Sequence, residues 1–319
     1  MRADSRVSIV IPNYNGKKFI EACLRAVLSD APGAELLVVD NGSQDGSREL
    51  VRREFPQARV IALDRNYGFS RAVNEGIRAA SRPYVILLNN DTEVLPGFAD
   101  ALAEALEADE RAFSVQAKLI SLHNPEKIDD AGNFYCALGW AFARGKNRSA
   151  AYYEQPGAVF AACAGAAAYR RELFEQTGCF DEAHFAYLED IDVGWRARLA
   201  GFRNLYVPAA KVLHAGSGTS GSRYNEFKVS LSSRNNIYMI WKNMPFFQLL
   251  LNLPFLLAGF GLKFLFFLKK GMGATYMKGL KEGFQMCGNG RKVKFQWKHL
   301  PFYVKIQLEL WINIVKRFG

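Results

Sequence analysis

Short apolar segments alternate with amphipathic segments along the first 120 residues of the chain. The apolar segments have the length and the branched side chains of buried strands, and they cover residues 7–11, 36–39, 60–63 and 84–88. Between them, apolar positions recur at helical spacing in residues 19–28, 47–54 and 71–80. Parallel strands of one sheet are joined by such crossover helices. The chain is therefore predicted to be an α/β protein with a doubly wound, mostly parallel sheet.

Polar residues follow each of the four predicted strands. In a doubly wound sheet, ligands bind beyond the carboxyl ends of the strands. A single polar strand end is usually a turn or a helix cap, but four of them at one edge indicate a binding site. Neither GxGxxG nor GxxxxGK[ST] follows the first strand, which disfavours a dinucleotide or P-loop site. The four strand ends are residues 12–16, 40–43, 64–68 and 89–92.

A second acidic segment contains Glu189, Asp190 and Asp192. If a helix begins there, its N-terminus stabilises the negative charges, and Asp192 can pair with Arg196 one turn later. An acidic helix cap and a catalytic site are both open at this point. A strand-like segment at residues 204–213 then leads to His214, either a structural residue or a ligand. The following glycine-rich residues 215–221 are typical of a mobile lid.

The ordered set of motifs resembles the family 2 glycosyltransferases, which have the GT-A nucleotide-sugar-binding fold. The resemblance covers about residues 6–240. Within the family, the chain is similar to bacterial rhamnosyltransferase-like enzymes of cell-surface glycan assembly. The matching motifs are residues 7–16, 38–43, 66–76, 87–92, 178–181 and 189–192.

The resemblance implies a nucleotide-sugar donor and a Mg²⁺ or Mn²⁺ ion on its diphosphate. Asn89 to Asp91 occupy the position of the family's DxD motif, with Asp91 and His214 as the expected metal ligands. Asn89 replaces the first aspartate of that motif, which we expect to weaken the metal site. The expected donor-binding residues are Pro12, Asn13, Tyr14, Asp40, Asn66, Arg71, Asn89 and Asn90.

The resemblance also implies an inverting reaction, in which Asp190 matches the general base and Glu189 orients the base or the acceptor. On the acceptor side we expect Asp130, Asp192 and Arg234. The alternatives are an ordinary turn at Asp130, a structural pair of Asp192 with Arg196 that holds its helix, and a surface-helix position for Arg234. The sequence thus predicts transfer of a sugar, with dTDP-rhamnose as one candidate donor, to a lipid-linked or nascent glycan. The alternatives are a sugar nucleotidyltransferase and a non-catalytic, membrane-tethered scaffold with a degenerate sugar-nucleotide fold.

The formal charge of +10 by itself suggests a nucleic-acid partner. Residues 242–319 carry +11, however, and residues 1–241 carry −1. Residues 244–268 contain Lys263 as their one charged residue and are long enough to span a membrane. A single span from the cytosol would place the basic residues 269–319 outside, against the positive-inside rule. Because the excess positive charge lies in this apolar end of the chain, we expect it to contact a membrane surface and expect no nucleic-acid partner.

The expected organisation is a GT-A catalytic domain at residues 1–241 and a basic, aromatic-rich, helical membrane-associated region at residues 242–319. That region is predicted to attach peripherally, or by re-entry, to the anionic cytoplasmic face of the inner membrane. One true span and a soluble oligomer interface remain alternatives. We expect no secretory signal, and we expect the cysteines to be reduced. A chain that ends near residue 241 is expected to be soluble.

Overall fold

The computed structural model describes residues 3–216 and 224–318. Most of the predicted glycine-rich lid lies outside these residues. The strands are β1 (Val7–Asn13), β2 (Glu35–Asn41), β3 (Arg59–Leu63), β4 (Tyr84–Leu88), β5 (Thr92–Val94), β6 (Ala112–Ser121), β7 (Ile128–Asp130), β8 (Asn133–Cys136), β9 (Trp140–Ala143), β10 (Gly157–Val159), β11 (Ala166–Arg170) and β12 (Arg203–His214). The helices are α1 (Ile20–Asp30), α2 (Ser47–Glu54), α3 (Phe69–Ala79), α4 (Phe98–Ala108), α5 (Phe174–Thr177), α6 (Glu189–Leu199), α7 (Glu226–Asn243), α8 (Phe246–Lys269), α9 (Gly273–Asn289) and α10 (Leu300–Phe318).

The main sheet has the strand order β10-β12-β6-β11-β4-β1-β2-β3. The strands β3, β2, β1 and β4 run parallel to one another, and β11 is antiparallel to both β4 and β6. The first four predicted strands and the doubly wound, mostly parallel arrangement are confirmed. Since β1, β2, β3 and β4 are parallel, the polar residues after them lie at one edge of the sheet.

Side chains that alternate along the strands fill two apolar cores. Ile9 and Ile11 of β1 pack into the core beneath α1, α2 and α4. Val10, between them, packs into the opposite core with Val73 of α3. This alternation is what a period of two gives when both faces of a sheet are covered by helices.

The C-terminal helix α10 packs directly against the first 241 residues. Ala137 donates its backbone N–H to the carbonyl of Leu310 at 2.9 Å, and Asn313 Nδ2 donates to the carbonyl of Tyr135 at 2.9 Å. Leu310 also shares a buried core with Trp195. The net charge therefore changes near residue 241, but the packed core continues across that boundary. We expect a chain that ends there to expose this core, whereas the sequence alone predicts a soluble product.

The helix α8 turns polar side chains toward the protein. Gln248 Nε2 and Asn252 Nδ2 are buried and donate to Oε1 of Gln307 in α10 at 3.0 and 2.8 Å. Among the described residues, α8 is the one helix that length and composition would allow to cross a membrane. The helix of a water-soluble domain has the reverse polarity. The apolar side chains of α8 that are exposed include Phe246, Phe247, Leu250, Leu251, Leu253, Leu257, Leu262, Leu265, Phe266 and Leu268.

Candidate active site

Three of the four strand ends are joined through the side chain of Asn13. Its Nδ2 donates to Oδ1 of Asp40 at 3.1 Å and to Oγ of Ser47 at 2.9 Å, and Asn90 Nδ2 donates to its Oδ1 at 2.8 Å. Gly16 is required beside them, because a Cβ at this position would overlap the side chains of Asn13 and Asn90. The ends of β1, β2 and β4 therefore form one connected edge.

The other donor-side residues predicted from the sequence lie along this edge. Asp40 is fully buried and accepts the backbone N–H of Ser43 at 3.2 Å, whereas Tyr14 is 36% exposed and Pro12 is half-buried. Asn89 is half-buried, and its backbone N–H donates to the carbonyl of Gly165 at 2.9 Å. An exposed aromatic ring and a buried carboxylate on neighbouring strand ends are suited to a planar base that carries hydrogen-bond donors.

The third strand end is held by a separate set of contacts. Asn41 Nδ2 donates to Oδ1 of Asn66 at 2.9 Å, and the same oxygen accepts the backbone N–H of Gly68 at 2.9 Å. Arg71, which the sequence assigns to donor binding, is ion-paired with Glu75 at 2.9 Å and with Glu182 at 3.1 Å. Asn66 thus shapes the loop before α3, and the Arg71 guanidinium already has carboxylate partners.

Asp91 and His214 meet where β12 ends. Oδ1 of Asp91 lies 3.4 Å from Nε2 of His214, and the other ring nitrogen lies 2.9 Å from Oδ2 of Asp129. Burial opposes protonation of His214, but its hydrogen bonds to Asp129 and Asp91 outweigh burial and raise its pKa to about 9. A proton on this ring therefore balances two carboxylates.

This cluster fits the hard divalent cation that the sequence predicts. Carboxylate oxygens and an imidazole nitrogen are ligands that Mn²⁺ accepts, and neighbouring ligands of one octahedral cation lie roughly 3 Å apart. Asp91 and His214 are close to that separation at 3.4 Å. A cation bound here would displace the proton from His214, because a metal ligand must be deprotonated.

The catalytic pair predicted from the sequence, Glu189 and Asp190, begins α6. Oδ2 of Asp190 accepts a hydrogen bond from Asn133 Nδ2 at 2.8 Å, and its Oδ1 accepts the backbone N–H of Ile191 at 2.7 Å. Burial raises the pKa of both acids, and the charges of Asp190 and Asp130 add to the rise at Glu189 and Asp190 respectively. A carboxyl group with a raised pKa is suited to accept a proton near neutral pH.

The backbone before this pair is strained. Phe185, Tyr187 and Leu188 all have positive φ values, of 62°, 71° and 67°. Side chains other than glycine adopt this conformation rarely, and such residues cluster at functional sites. Asn235 of α7 holds the segment, because its Nδ2 donates to the carbonyls of His184, Ala186 and Tyr187 at 2.9, 2.8 and 2.8 Å.

Arg234, which the sequence assigns to the acceptor side, acts on the same segment. Its Nη2 donates to the carbonyls of Ala183 at 3.2 Å and His184 at 2.9 Å. The described contacts therefore give Arg234 a structural role beside Asn235.

Asp192, the other acceptor-side aspartate of α6, is fully buried in a network of charges. It accepts from Arg196 Nε at 3.0 Å, Lys242 Nζ at 2.8 Å and Asn243 Nδ2 at 2.8 Å. Burial alone would raise its pKa, but Arg196 and Lys242 hold that pKa well below the usual range. Of the two roles considered from the sequence, these contacts favour the structural one.

One further group of possible metal ligands contains Asp181, His184 and Asp192, whose ligand atoms lie within 4.8 Å of one another. The ammonium of Lys242 lies 2.6 Å from Asp181 and 2.8 Å from Asp192. Burial lowers the pKa of His184 to about 4, which keeps the ring neutral. Since Lys242 already supplies the positive charge, the cluster at Asp91 is the better candidate for a divalent cation.

Asp130 follows Asp129 at the end of β7 and is buried. Its Oδ1 accepts from Gln116 Nε2 at 2.9 Å and from the backbone N–H of Gly132 at 2.7 Å, and burial raises its pKa to about 6. It also raises the pKa of Asp190 through its charge. Asp130 therefore contributes to the electrostatics of the site from a fixed position.

The sequence predicts no role for Asn133, Asn235 or Lys242, and it indicates Asp129 only as the neighbour of Asp130 on the acceptor side. Asp129 and Asn133 flank the Asp130 motif, so a signal was present in that segment. Asn235 and Lys242 lie on α7, at least 48 and 50 residues from the groups they contact, and no local pattern identifies such partners.

The family model of glycosyl transferase family 2 matches residues 8–178. An N-acetylglucosaminyl-diphospho-decaprenol L-rhamnosyltransferase of Mycobacterium tuberculosis is 28% identical over 239 residues, which are 67% of this chain and 77% of the relative.

Solved structures share the fold. The crystal structure of GalNAc-T7 with UDP, GalNAc and Mn²⁺ matches with a TM-score of 0.60 and 17% identity, over 74% of this chain and 48% of its own length. The mannosyltransferase PcManGT from Pyrobaculum calidifontis, in complex with GDP-Man and Mn²⁺, matches with a TM-score of 0.54 and 18% identity, over 95% of this chain and 87% of its own. The chain thus spans about half the length of the first structure and most of the second.

Proposed function

Because the chain belongs to glycosyl transferase family 2, we propose that it transfers a sugar, with inversion, from a nucleotide donor to a lipid-linked glycan acceptor. The observation that carries the proposal is the pair Asp91 and His214, 3.4 Å apart, with Asp129 on the other side of the His214 ring. Asp130, the next residue, raises the pKa of the buried Asp190 through its charge. The candidate sugar is L-rhamnose, which is the sugar named for the mycobacterial relative.

The donor lies along the edge formed by Asn13, Asp40 and Asn90. Tyr14 stacks on the base, and Asp40 accepts hydrogen bonds from the base or the ribose. Asn89 contacts the ribose through its amide. Arg71 contributes to donor binding after the donor displaces one of its carboxylate partners, Glu75 or Glu182. This exchange is open to it because its guanidinium is only partly buried.

Asp91 and His214 hold a Mg²⁺ or Mn²⁺ ion, which supplies positive charge to the departing diphosphate when it is bound. Asp129 orients His214 from the other side of the ring at 2.9 Å, as an outer carboxylate orients a ligating histidine. Asn89 supplies an amide in place of a carboxylate and leaves this site with less negative charge.

Asp190 accepts the proton of the acceptor hydroxyl. Its Oδ2 is oriented by Asn133, and its raised pKa gives the carboxylate the basicity that this step needs. Glu189 positions the acceptor or the base. Among the described residues, Oε2 of Glu189 has no hydrogen-bond partner although it is buried, so it is available to a ligand.

The C-terminal helices attach the enzyme to the cytoplasmic face of the inner membrane. The exposed apolar face of α8 and the charge of +11 on residues 242–319 support a helix that lies in, or re-enters, an anionic leaflet. Attachment at this face brings the site to a lipid-borne acceptor.

The test is a transfer assay with the full-length protein in detergent. The donors are dTDP-rhamnose, UDP-sugars and GDP-sugars, each with Mn²⁺, with Mg²⁺ or with EDTA, and the acceptor is a polyprenyl-diphosphate-linked N-acetylglucosamine. We expect cation-dependent transfer from one donor class. Absence of turnover with every donor would favour the scaffold alternative. Formation of a nucleotide sugar from a sugar phosphate and a nucleoside triphosphate would favour the nucleotidyltransferase.

A further inference from the structure

A cleft of about 1150 Å³ runs between the β8–β9 hairpin, α7, α8 and the end of α10. Its lining includes Asp129, Asp130 and Leu188, which lie next to the proposed metal ligand His214 or precede the catalytic pair. The lining also includes Leu262 and Phe266 of α8, which belong to the exposed apolar face. The cleft therefore connects the reaction edge to the apolar surface.

The cleft is strongly basic. Lys146 is paired with Asp129. Five other cations in the lining have no carboxylate within 4.0 Å among residues 3–216 and 224–318. They are Arg144, Arg148, Lys263, Lys316 and Arg317. Unpaired cations in one concave surface attract an anion and bind phosphate groups well.

Arg144 has a nitrogen that lacks a partner. Its Nε donates to the carbonyl of Ala131 at 2.8 Å, and its guanidinium lies 4.5 Å from the centre of the Tyr206 ring. Its Nη2 is buried and has no hydrogen-bond partner in the described part of the chain. A buried guanidinium nitrogen without an acceptor lowers the stability of the folded protein. A bound anion that accepts its hydrogen bond would remove this cost.

Two of the other cations lie over aromatic rings of the β8–β9 hairpin. The Lys316 ammonium lies 4.9 Å from the centre of the Phe134 ring, and the Arg317 guanidinium lies 5.8 Å from the centre of the Phe142 ring. The two rings are stacked with their centres 5.8 Å apart. The stacked pair therefore holds two like charges on one side of the cleft.

Lys263 of α8 adds a third charge close to the apolar face. Its Nζ lies 3.4 Å from the carbonyl of Gly139 and 6.0 Å from the centre of the Trp140 ring. These two weak contacts leave most of the hydrogen-bonding capacity of an ammonium unused.

We propose that this cleft binds the diphosphate of the lipid-linked acceptor, with Arg144, Lys263 and Arg317 as its cationic ligands and the lipid chain continuing over Leu262 and Phe266. The inference rests on the proposed function, and it deepens it by assigning the part of the acceptor that the enzyme recognises. Asp129 and Asp130, which also line the cleft, repel the diphosphate, so the anion is drawn toward Lys263 and Arg317 and the sugar points toward Asp190.

The experiment measures binding without transfer. Full-length protein in detergent is titrated with farnesyl diphosphate, farnesol or inorganic pyrophosphate in a calorimeter, with EDTA present so that the cation-dependent donor site does not capture the anion. We expect farnesyl diphosphate to bind at least about tenfold more tightly than either fragment, because each fragment lacks one half of the interaction.

The variants Lys263→Met and Arg317→Gln are expected to bind farnesyl diphosphate roughly tenfold or more weakly, as for loss of a charge-assisted hydrogen bond. The matched control is Lys281→Met, at an exposed position of α9 outside the cleft. We expect this variant to keep wild-type affinity. Unchanged melting temperatures show that the variants fold.

Equal affinity of wild type and both cleft variants would overturn the assignment, and so would farnesol binding as tightly as farnesyl diphosphate. Since no donor is present, a failure of sugar transfer would count against the proposed function alone and leave this measurement standing.

Discussion

Nδ2 of Asn133 donates a 2.8 Å hydrogen bond to Oδ2 of Asp190, and so joins the β8 strand to the first turn of α6. A donor at this distance stabilises the charged form of the carboxylate, whereas burial stabilises the neutral form and raises its pKa. The chemistry of the site depends on the balance between these two effects.

Replacement of Asp190 by Asn is expected to lower kcat by about 10²- to 10⁴-fold, because the amide cannot accept the acceptor proton. Nucleotide binding stays within about twofold, since Asp190 lies on α6 and not on the donor edge. The measurements are transfer at saturating donor and calorimetric titration with the nucleotide. Glu104→Gln, on the exposed side of α4, is the control. Near-normal turnover of the Asp190 variant would refute the assignment of the base.

Replacement of Asn133 by Ala is expected to move the acidic limb of the pH–activity profile upward by about 1 to 2 pH units. The base works in its deprotonated form, so activity falls as pH falls through its pKa. Loss of a donor to the charged form raises that pKa further. The profile of kcat/KM between about pH 5 and 9 measures the shift, with Asn124→Ala in an exposed turn as the control. An unchanged limb would mean that Asn133 does not act on the base.

Replacement of Asp192 by Asn is expected to lower the free energy of unfolding by about 3–5 kcal/mol, because it leaves Lys242 and Arg196 buried without their carboxylate. The pKa of Asp192 is depressed in the folded state, so its stabilisation is present above the usual carboxyl pKa and is lost as pH falls below about 4. Urea denaturation at pH 7 measures the loss. Asp109→Asn, which breaks an exposed pair with Arg203, should cost about 1 kcal/mol or less. Equal costs for the two variants would contradict the buried network.

Removal of divalent cations with EDTA is expected to abolish transfer, and Mn²⁺ to restore it, because Asp91 and His214 lie 3.4 Å apart in a cluster suited to a cation. Asn89→Asp adds a second carboxylate beside this site and should lower the Mn²⁺ concentration needed for half-maximal activity. Asp91→Asn should raise it. Transfer that is indifferent to EDTA would exclude this use of the site.

Substitution of Leu250 and Leu257 together by Glu is expected to release the protein from vesicles that contain phosphatidylglycerol. These side chains are 60% and 65% exposed on α8, and burial of each leucine in lipid contributes about 1.5–3 kcal/mol. Flotation of the full-length protein measures the bound fraction, with Ala108→Glu on α4 as the control. Retention of the double variant on vesicles would show that α8 does not make the contact.

Local patterns in the sequence were enough to predict the parallel sheet and its reactive edge. The first four strands and their connecting helices follow from apolar periodicity, which acts over a few residues. Asp40, Asn66 and Asp91 could be placed at one edge because parallel strands end on the same side. The charge of residues 242–319 likewise required only counting.

The tertiary structure decided which of these polar groups contact one another. Asn133 and Asp190 are 57 residues apart, and Lys242 and Asp192 are 50 apart, so no periodicity could pair them. The fold gives Asp192 cationic partners that lower its pKa, whereas burial raises the pKa of Asp190, two residues earlier.

The sequence by itself determined the fold class, the family resemblance and the basic, apolar end of the chain, because each is encoded in local composition and order. Only the tertiary structure showed that α10 completes the core around Trp195 and that α8 presents its polar side inward. It also showed that cations without a carboxylate partner in the described part of the chain line one cleft with Asp129 and Asp130. The physical reason is that these properties depend on distances between segments remote in sequence, which are fixed when the helices pack.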